Sequence, residues 1–164
     1  MRRTLGALIA VVLLVGPAVV AANSDTITVN YEVQAINELD ISAASVTLTI
    51  STATAGSQPD DVTDNSTATY ALTTNGGTDA KKITAAIDTA MPADTHLYLT
   101  LAAPTGGTSA GEQEITDSAV DLVTAIDSVA ESGLQMTFRL SALVTANIVA
   151  AASKTLTLTL TDAA

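Results

Sequence analysis

The segment Leu134–Ala142 reads LQMTFRLSA, and every second residue from Leu134 to Leu140 is apolar. Successive side chains of a β-strand point to opposite faces, so Leu134, Met136 and Phe138 would share one face of an extended chain. A strand with one apolar face must bury that face against another layer. This segment therefore predicts a β-strand in a layered all-β fold.

Working outward from this segment, the same two-residue period recurs along much of the chain. Turn-forming residues such as Asn75-Gly76-Gly77 separate the periodic segments. Many short strands divided by Gly, Pro and Ser turns are typical of a single antiparallel β-sandwich, here predicted to be jelly-roll-like. The further predicted strands are Thr26–Ala35, Val46–Ile50, Ala68–Thr74, Lys81–Ile87, Thr95–Ala102 and Lys154–Thr161.

Residues 114–131, EITDSAVDLVTAIDSVAE, fit two patterns. Ile115, Leu122 and Ile126 belong to a helical stripe, and Gly133 would end that helix. The run AVDLV also fits an edge strand. We favour a short strand near Ala119–Thr124, followed by a turn or a single helical turn.

The first 22 residues have the features of a secretory signal peptide. Arg2 and Arg3 precede an apolar stretch, Leu5–Val15, and small residues occupy the cleavage positions Val20 and Ala22. No later run reaches the ~20 apolar residues that a membrane span needs. We expect cleavage after Ala22 and a secreted, extracellular or cell-surface chain without stable membrane insertion. The predicted organisation is a signal peptide at 1–22, an N-terminal strand at 23–36 and a sandwich domain at 37–164.

The chain is strongly acidic and has no cysteine. Its net charge is −11, and removal of the two leader arginines would make it −13. Nucleic-acid binding depends on Lys and Arg neutralising phosphates, so a nucleic-acid partner is not expected. Without disulfides, packing and strand pairing must hold the fold together.

No pattern of catalytic residues stands out. His96 is the only histidine, and nothing near it resembles a nucleophile elbow, so we do not expect an enzyme. One histidine and no cysteine argue against a zinc or copper site. Ca²⁺ prefers oxygen ligands, and Asp60, Asp61 and Asp64 gather in one polar loop. This loop is a candidate Ca²⁺ site or a solvated acidic loop; no other cofactor is expected.

The predicted first strand follows the cleavage site directly. Ile27, Val29, Tyr31 and Val33 alternate with polar residues. The strand can pair within its own domain, or it can enter a neighbour's sheet by β-augmentation. Head-to-tail insertion does not close on itself and yields a filament. The polar segment Asn37–Asp40 would then be the linker between subunits.

These features together resemble the TasA/camelysin-type biofilm fibre proteins and the archaeal bundling pilins. The resemblance rests on the leader, the immediate alternating strand DTITVNYEVQAI, and the cysteine-free, Thr/Ala-rich, acidic sandwich. It implies a β-sandwich subunit joined to others by strand exchange in an extracellular matrix. The sequence alone therefore favours a structural filament or matrix subunit that forms a homo-oligomer or polymer. The alternative is a monomeric secreted binding or adhesion module, with or without stabilisation by Ca²⁺.

Overall fold

Most of the alternating segments form antiparallel β-sheets in a computed structural model, which describes residues 23–77 and 79–163. Within this part of the chain there are ten strands and one short 3₁₀-helix, Val144–Ala146. The strands are β1 Asn37–Ile41, β2 Val62–Asp64, β3 Thr69–Thr74, β4 Lys81–Ile87, β5 Thr95–Leu101, β6 Thr108–Ser109, β7 Gln113–Glu114, β8 Val120–Ile126, β9 Val129–Ala142 and β10 Leu156–Asp162.

Two sheets contain all of these strands. The first has the order β1-β3-β9-β5-β7, and β2 also pairs with β9. The second has the order β10-β4-β8-β6. Every strand pair is antiparallel. The prediction of an all-β, antiparallel sandwich is therefore confirmed.

The segment that opened the sequence analysis is the second half of the longest strand, β9. The first half of β9 pairs with β3, and its second half pairs with β5 and β2. Met136 lies opposite Leu101, and Phe138 lies opposite Leu99. All four side chains are buried, as the alternation predicts.

The core lies between the two sheets and is made almost entirely of aliphatic side chains. Strands such as β4 contribute every second residue, so one face packs inward while the other is more exposed; β8 departs from this by burying the adjacent Leu122 and Val123. Tyr70 is the one buried tyrosine among the described residues, and its hydroxyl donates a hydrogen bond of 2.5 Å to the Ala102 carbonyl. The largest buried side chains are Tyr70, Leu72, Ile83, Leu99, Leu101, Ile115, Leu122, Val123, Ile126 and Met136.

The ambiguous region 114–131 is extended, not helical. β8 covers Val120–Ile126, which confirms the favoured strand near Ala119–Thr124. Of the turn or single helical turn expected after it, the structure has the turn: only Asp127 and Ser128 separate β8 from β9, which begins at Val129 in the other sheet. Ala125 has a φ of 56°, at the point where the register between β4 and β8 shifts. This local irregularity disturbed the alternation and left the helical stripe as a competing interpretation.

Two predictions near the N-terminus need correction. Asn37–Asp40, predicted to be a linker, belongs to β1, where Leu39 lies opposite Leu72 on β3. Val46–Ile50, predicted to be a strand, has no strand assignment, although its exposure still alternates residue by residue. Val46 and Leu48 pack against the core. The alternation was read correctly, but strand assignment also requires a hydrogen-bonded partner, which a local pattern does not specify.

Gly76 permits the turn after β3. Its φ is +73°, a left-handed conformation that side chains rarely adopt. A Cβ atom at this position would lie 2.8 Å from the Ser128 Oγ and 2.9 Å from the Asp127 Oδ1. The chain therefore needs glycine here for both its backbone angle and its close packing against the β8–β9 connection.

The chain divides into two units between Glu32 and Val33. All ten strands belong to the second unit. The predicted signal peptide, residues 1–22, lies outside the described residues. In the ranges that are described, no helix is long and apolar enough to cross a membrane.

Candidate functional site

The predicted interaction segment presents its apolar side chains to solvent. The structure assigns no strand to residues 23–36, although a strand was predicted at Thr26–Ala35. The exposed fractions are 88% for Ile27, 73% for Val29, 92% for Tyr31 and 80% for Val33.

Asn75 ties the C-terminal end of this segment to the sheet. The Ile36 N–H donates to the Asn75 Oδ1 at 2.9 Å, and the Asn75 Nδ2 donates to the Gln34 carbonyl at 2.8 Å. The Asn75 N–H donates to the Ile36 carbonyl at 3.2 Å. These three bonds fix where the chain enters β1. Sequence reasoning missed Asn75, because its partners lie about forty positions away.

Burial of this row of apolar side chains in a contact with another strand would be energetically favourable. Fully burying a Val, Ile or aromatic side chain stabilises an association by about 1.5–3 kcal/mol. The unpaired backbone of a strand-like segment can also add to the edge of a sheet. The row therefore has the chemistry of a strand that lacks a partner.

The predicted acidic loop is organised by protein groups. Asp64 accepts hydrogen bonds from the Thr67 N–H at 3.0 Å, the Thr67 hydroxyl at 2.7 Å and the Ser66 N–H at 3.2 Å. The bond from the Thr67 hydroxyl is the largest cause of the lowered pKa of Asp64. Asp61 accepts from the Arg139 Nη1 at 2.5 Å. Asp60 is exposed and precedes β2, and its N–H donates to the Thr52 carbonyl at 2.9 Å.

Arg139 is the centre of a small charged cluster on the outer face of β9. Its guanidinium binds the Glu112 carboxylate through two bonds of 2.8 and 2.7 Å, and it also binds Asp61. It stacks 3.9 Å from the centroid of the Tyr98 ring. The bonds from Arg139 lower the pKa of Glu112, and the two carboxylates raise the pKa of Arg139. Through these contacts, Arg139 holds the loops that contain Asp61 and Glu112 against the sheet.

His96 pairs with a carboxylate across the β5–β7 strand pair. Its Nδ1 lies 2.6 Å from the Glu114 Oε1, which joins β5 to β7. Ser141 lies opposite His96 in the β5–β9 register. Among residues 23–77 and 79–163, no hydroxyl is hydrogen-bonded to the His96 ring.

The candidate Ca²⁺ ligands do not converge. Asp61 turns to Arg139, while Asp64 caps its own turn. Within the described part of the chain, no three His, Cys, Asp or Glu side chains form a group that could hold a metal ion.

A second exposed apolar segment, which the sequence analysis did not identify, follows β9. Leu143, Val144, Ile148 and Val149 are all exposed, and Ile148 reaches 99%. No charged residue occurs between Arg139 and Lys154. This lack of charge is the only sequence feature that could have indicated the exposed apolar segment. It did not do so, because an ordinary buried segment also lacks charge.

Comparison of the sequence with protein-family models and with curated proteins finds no match.

Proposed function

We propose that this protein is a structural subunit of an extracellular filament or surface matrix. In this proposal, the segment Thr26–Val33 of one copy adds as a strand to a sheet of the next copy. The association is non-covalent, because the chain has no cysteine to form a disulfide. Secretion is part of the proposal and rests on the leader-like residues 1–22.

One observation carries the proposal. Four apolar side chains, Ile27, Val29, Tyr31 and Val33, alternate along a segment that has no assigned strand, and each is at least 73% exposed. Exposure of such a row of apolar side chains to water is unfavourable, and it does not serve a chain whose net charge is −11. Pairing with another copy would bury the row and satisfy its backbone.

The geometry of such a contact favours polymers over closed dimers. The donated segment and the surface that receives it are different parts of the subunit, so the contact is heterologous. Each copy then offers one segment and accepts another, and growth continues head to tail. Among the functions considered from sequence, the filament subunit is the one that uses this exposed row.

Negative-stain electron microscopy tests the proposal. The full chain would be expressed with its leader, collected outside the cell and concentrated with and without Ca²⁺. N-terminal sequencing of the same sample would check cleavage after Ala22. We expect regular fibres under both conditions. Dispersed monomers at high concentration in both conditions would contradict the proposal and favour a monomeric binding module.

A further inference from the structure

Strand β10 is an edge of the second sheet, and its hydrogen-bonding pattern can be read from its ends. The Asp88 N–H donates to the Thr155 carbonyl at 3.0 Å, and the Ala163 N–H donates to the Ala80 carbonyl at 2.8 Å. In an antiparallel ladder, backbone hydrogen bonding to a given neighbour alternates along the strand. The odd-numbered residues of β10 therefore face β4. The even-numbered residues, Leu156, Leu158, Leu160 and Asp162, direct their N–H and C=O groups away from it.

The same leucines are incompletely covered. Leu156, Leu158 and Leu160 are half-buried and pack against the core, while Thr157, Thr159 and Thr161 are exposed. The edge thus combines free backbone groups with a row of partly covered apolar side chains. An added strand would form hydrogen bonds with the free backbone groups and cover the partly exposed leucine side chains.

A second strand-like row packs against the same core. Val46, Leu48 and Ile50 are half-buried and alternate with exposed residues, yet no strand is assigned to Val46–Ile50. Val46 and Leu48 contact the buried cluster that β10 also covers. A sheet edge with one unpaired side and a strand-like row with no assigned strand, both on one core, are what a missing strand would leave.

The other sheet edges are poorer candidates. Strands β6 and β7 contain two residues each, which is too short for stable pairing. Strand β1 has five residues, but Glu38 and Asp40 would meet a chain that is itself acidic. Strand β10 has seven residues, and its single charged residue, Asp162, is paired with Lys81.

We propose that the free edge of β10 is the acceptor surface, and that its occupant is the segment Thr26–Val33 of a second copy. This inference rests on the proposed function and identifies the partner surface within it. At ~3.3 Å per residue, the segment spans about 26 Å and β10 spans about 23 Å. Glu32 is the only charged residue in the segment, so the contact avoids most of the repulsion between acidic copies.

The faces of the two strands also match. With Ile27, Val29 and Tyr31 directed to the core beside the leucines, Thr28, Asn30 and Glu32 share the solvent face with the β10 threonines. The backbone groups of those threonines are used by β4. We place the added strand antiparallel to β10, as all strand pairs of the described fold are; the residues opposite the threonines then form non-hydrogen-bonded pairs, whose Cα atoms lie ~4.5 Å apart. This separation is within the range that a disulfide spans.

Engineered cysteine pairs test this assignment, because the natural chain has none. One population of the full chain carries Asn30→Cys. A second carries Thr157→Cys, Thr159→Cys or Thr161→Cys. The matched control carries Thr73→Cys, at an exposed threonine of β3 in the other sheet. The populations are mixed, assembled, mildly oxidised and analysed on non-reducing gels.

We expect a cross-linked band at twice the subunit mass for at least one β10 position and none for Thr73→Cys. Fibres that form normally but cross-link at no β10 position would overturn the acceptor assignment and leave the proposed function standing. Failure of the unmodified protein to assemble would overturn both.

Residue-resolved hydrogen exchange on the unmodified protein provides a measurement that needs no variant. The amides of Leu156, Leu158 and Leu160 should exchange freely in dispersed protein, while those of Thr157 and Thr159 are already protected by β4. Assembly should slow the leucine amides at least tenfold. Unchanged leucine exchange in fibres would refute the proposal.

Discussion

Replacing one apolar residue of the exposed segment by aspartate should impair assembly without changing the fold. Val29 and Tyr31 are 73% and 92% exposed, so most of each side chain remains to be buried in a contact. Scaling ~1.5–3 kcal/mol per buried side chain by these fractions gives about 1–2 kcal/mol for Val29 and about 1.5–3 kcal/mol for Tyr31. Burying a carboxylate adds a further penalty. Val29→Asp or Tyr31→Asp should therefore raise the critical concentration for assembly at least tenfold, at ~1.4 kcal/mol per factor of ten.

The stability of the dispersed protein should respond differently. Substitution of an exposed residue usually changes the free energy of unfolding by no more than ~0.5 kcal/mol. Urea unfolding, followed by circular dichroism at low concentration, should give the same midpoint for Val29→Asp and the unmodified protein. Light scattering across a concentration series would measure the critical concentration.

Thr28→Asp and Asn30→Asp are matched controls. They add the same charge to the same segment, but on the opposite face of the strand. Both should assemble at a concentration within about threefold of the unmodified protein. The reasoning fails if Val29→Asp lowers unfolding stability by 1 kcal/mol or more, since the segment would then pair within its own copy. Equal loss of assembly in Thr28→Asp would also refute it, because the effect would come from charge alone.

Three further predictions concern the fold. Burial raises the pKa of Tyr70 to about 12 from an ordinary value of 10, so the neutral phenol is favoured in the native state. The free energy of unfolding, measured by urea titration, should therefore be constant below pH 10 and fall by up to about 3 kcal/mol as the pH rises through 12. Tyr70→Phe should lack this fall. An identical fall in the variant would contradict the assignment. Arg139→Met should cost about 1 kcal/mol at neutral pH, because its ion pairs are partly exposed. Because Arg139 lowers the pKa of Glu112, their ion pair stabilises the fold above the ordinary carboxyl pKa, and this stabilisation is lost as the pH falls through the lowered value. The difference in unfolding free energy between the unmodified protein and Arg139→Met should therefore shrink in acid, and an increase would contradict the prediction. Ala125→Gly should leave thermal stability unchanged or raise it by up to ~1 kcal/mol, since glycine adopts the positive φ of 56° at less cost; a clear loss in a thermal melt would show that the alanine methyl packs usefully.

The central strands of both sheets were predictable because their alternation is a local property. β4 and β5 bury apolar residues at alternate positions, and their predicted bounds match closely. The prediction for β9 is right at its C-terminal end, Ala142, but the strand begins at Val129, five residues before the predicted Leu134. Strand β1 was missed because NELDI contains only two apolar residues, which left the segment looking like a polar linker.

The features that sequence reasoning could not supply depend on distant partners. Val46–Ile50 has a strand's period, but no strand pairing is assigned to it. Asn75 and Arg139 acquire their roles from residues brought together only by folding. The almost complete exposure of Ile148 could not be predicted either, because it depends on the path of the chain rather than on neighbouring residues in the sequence.

Hydrogen exchange of the Thr26–Val33 amides, compared between dilute dispersed protein and concentrated assemblies, tests strand donation most directly. We predict fast exchange in the dispersed protein and strong protection in the assemblies, because the segment finds its backbone partners only on another copy. Protection that is already complete in dilute monomers, or that is absent from assembled fibres, would contradict the account.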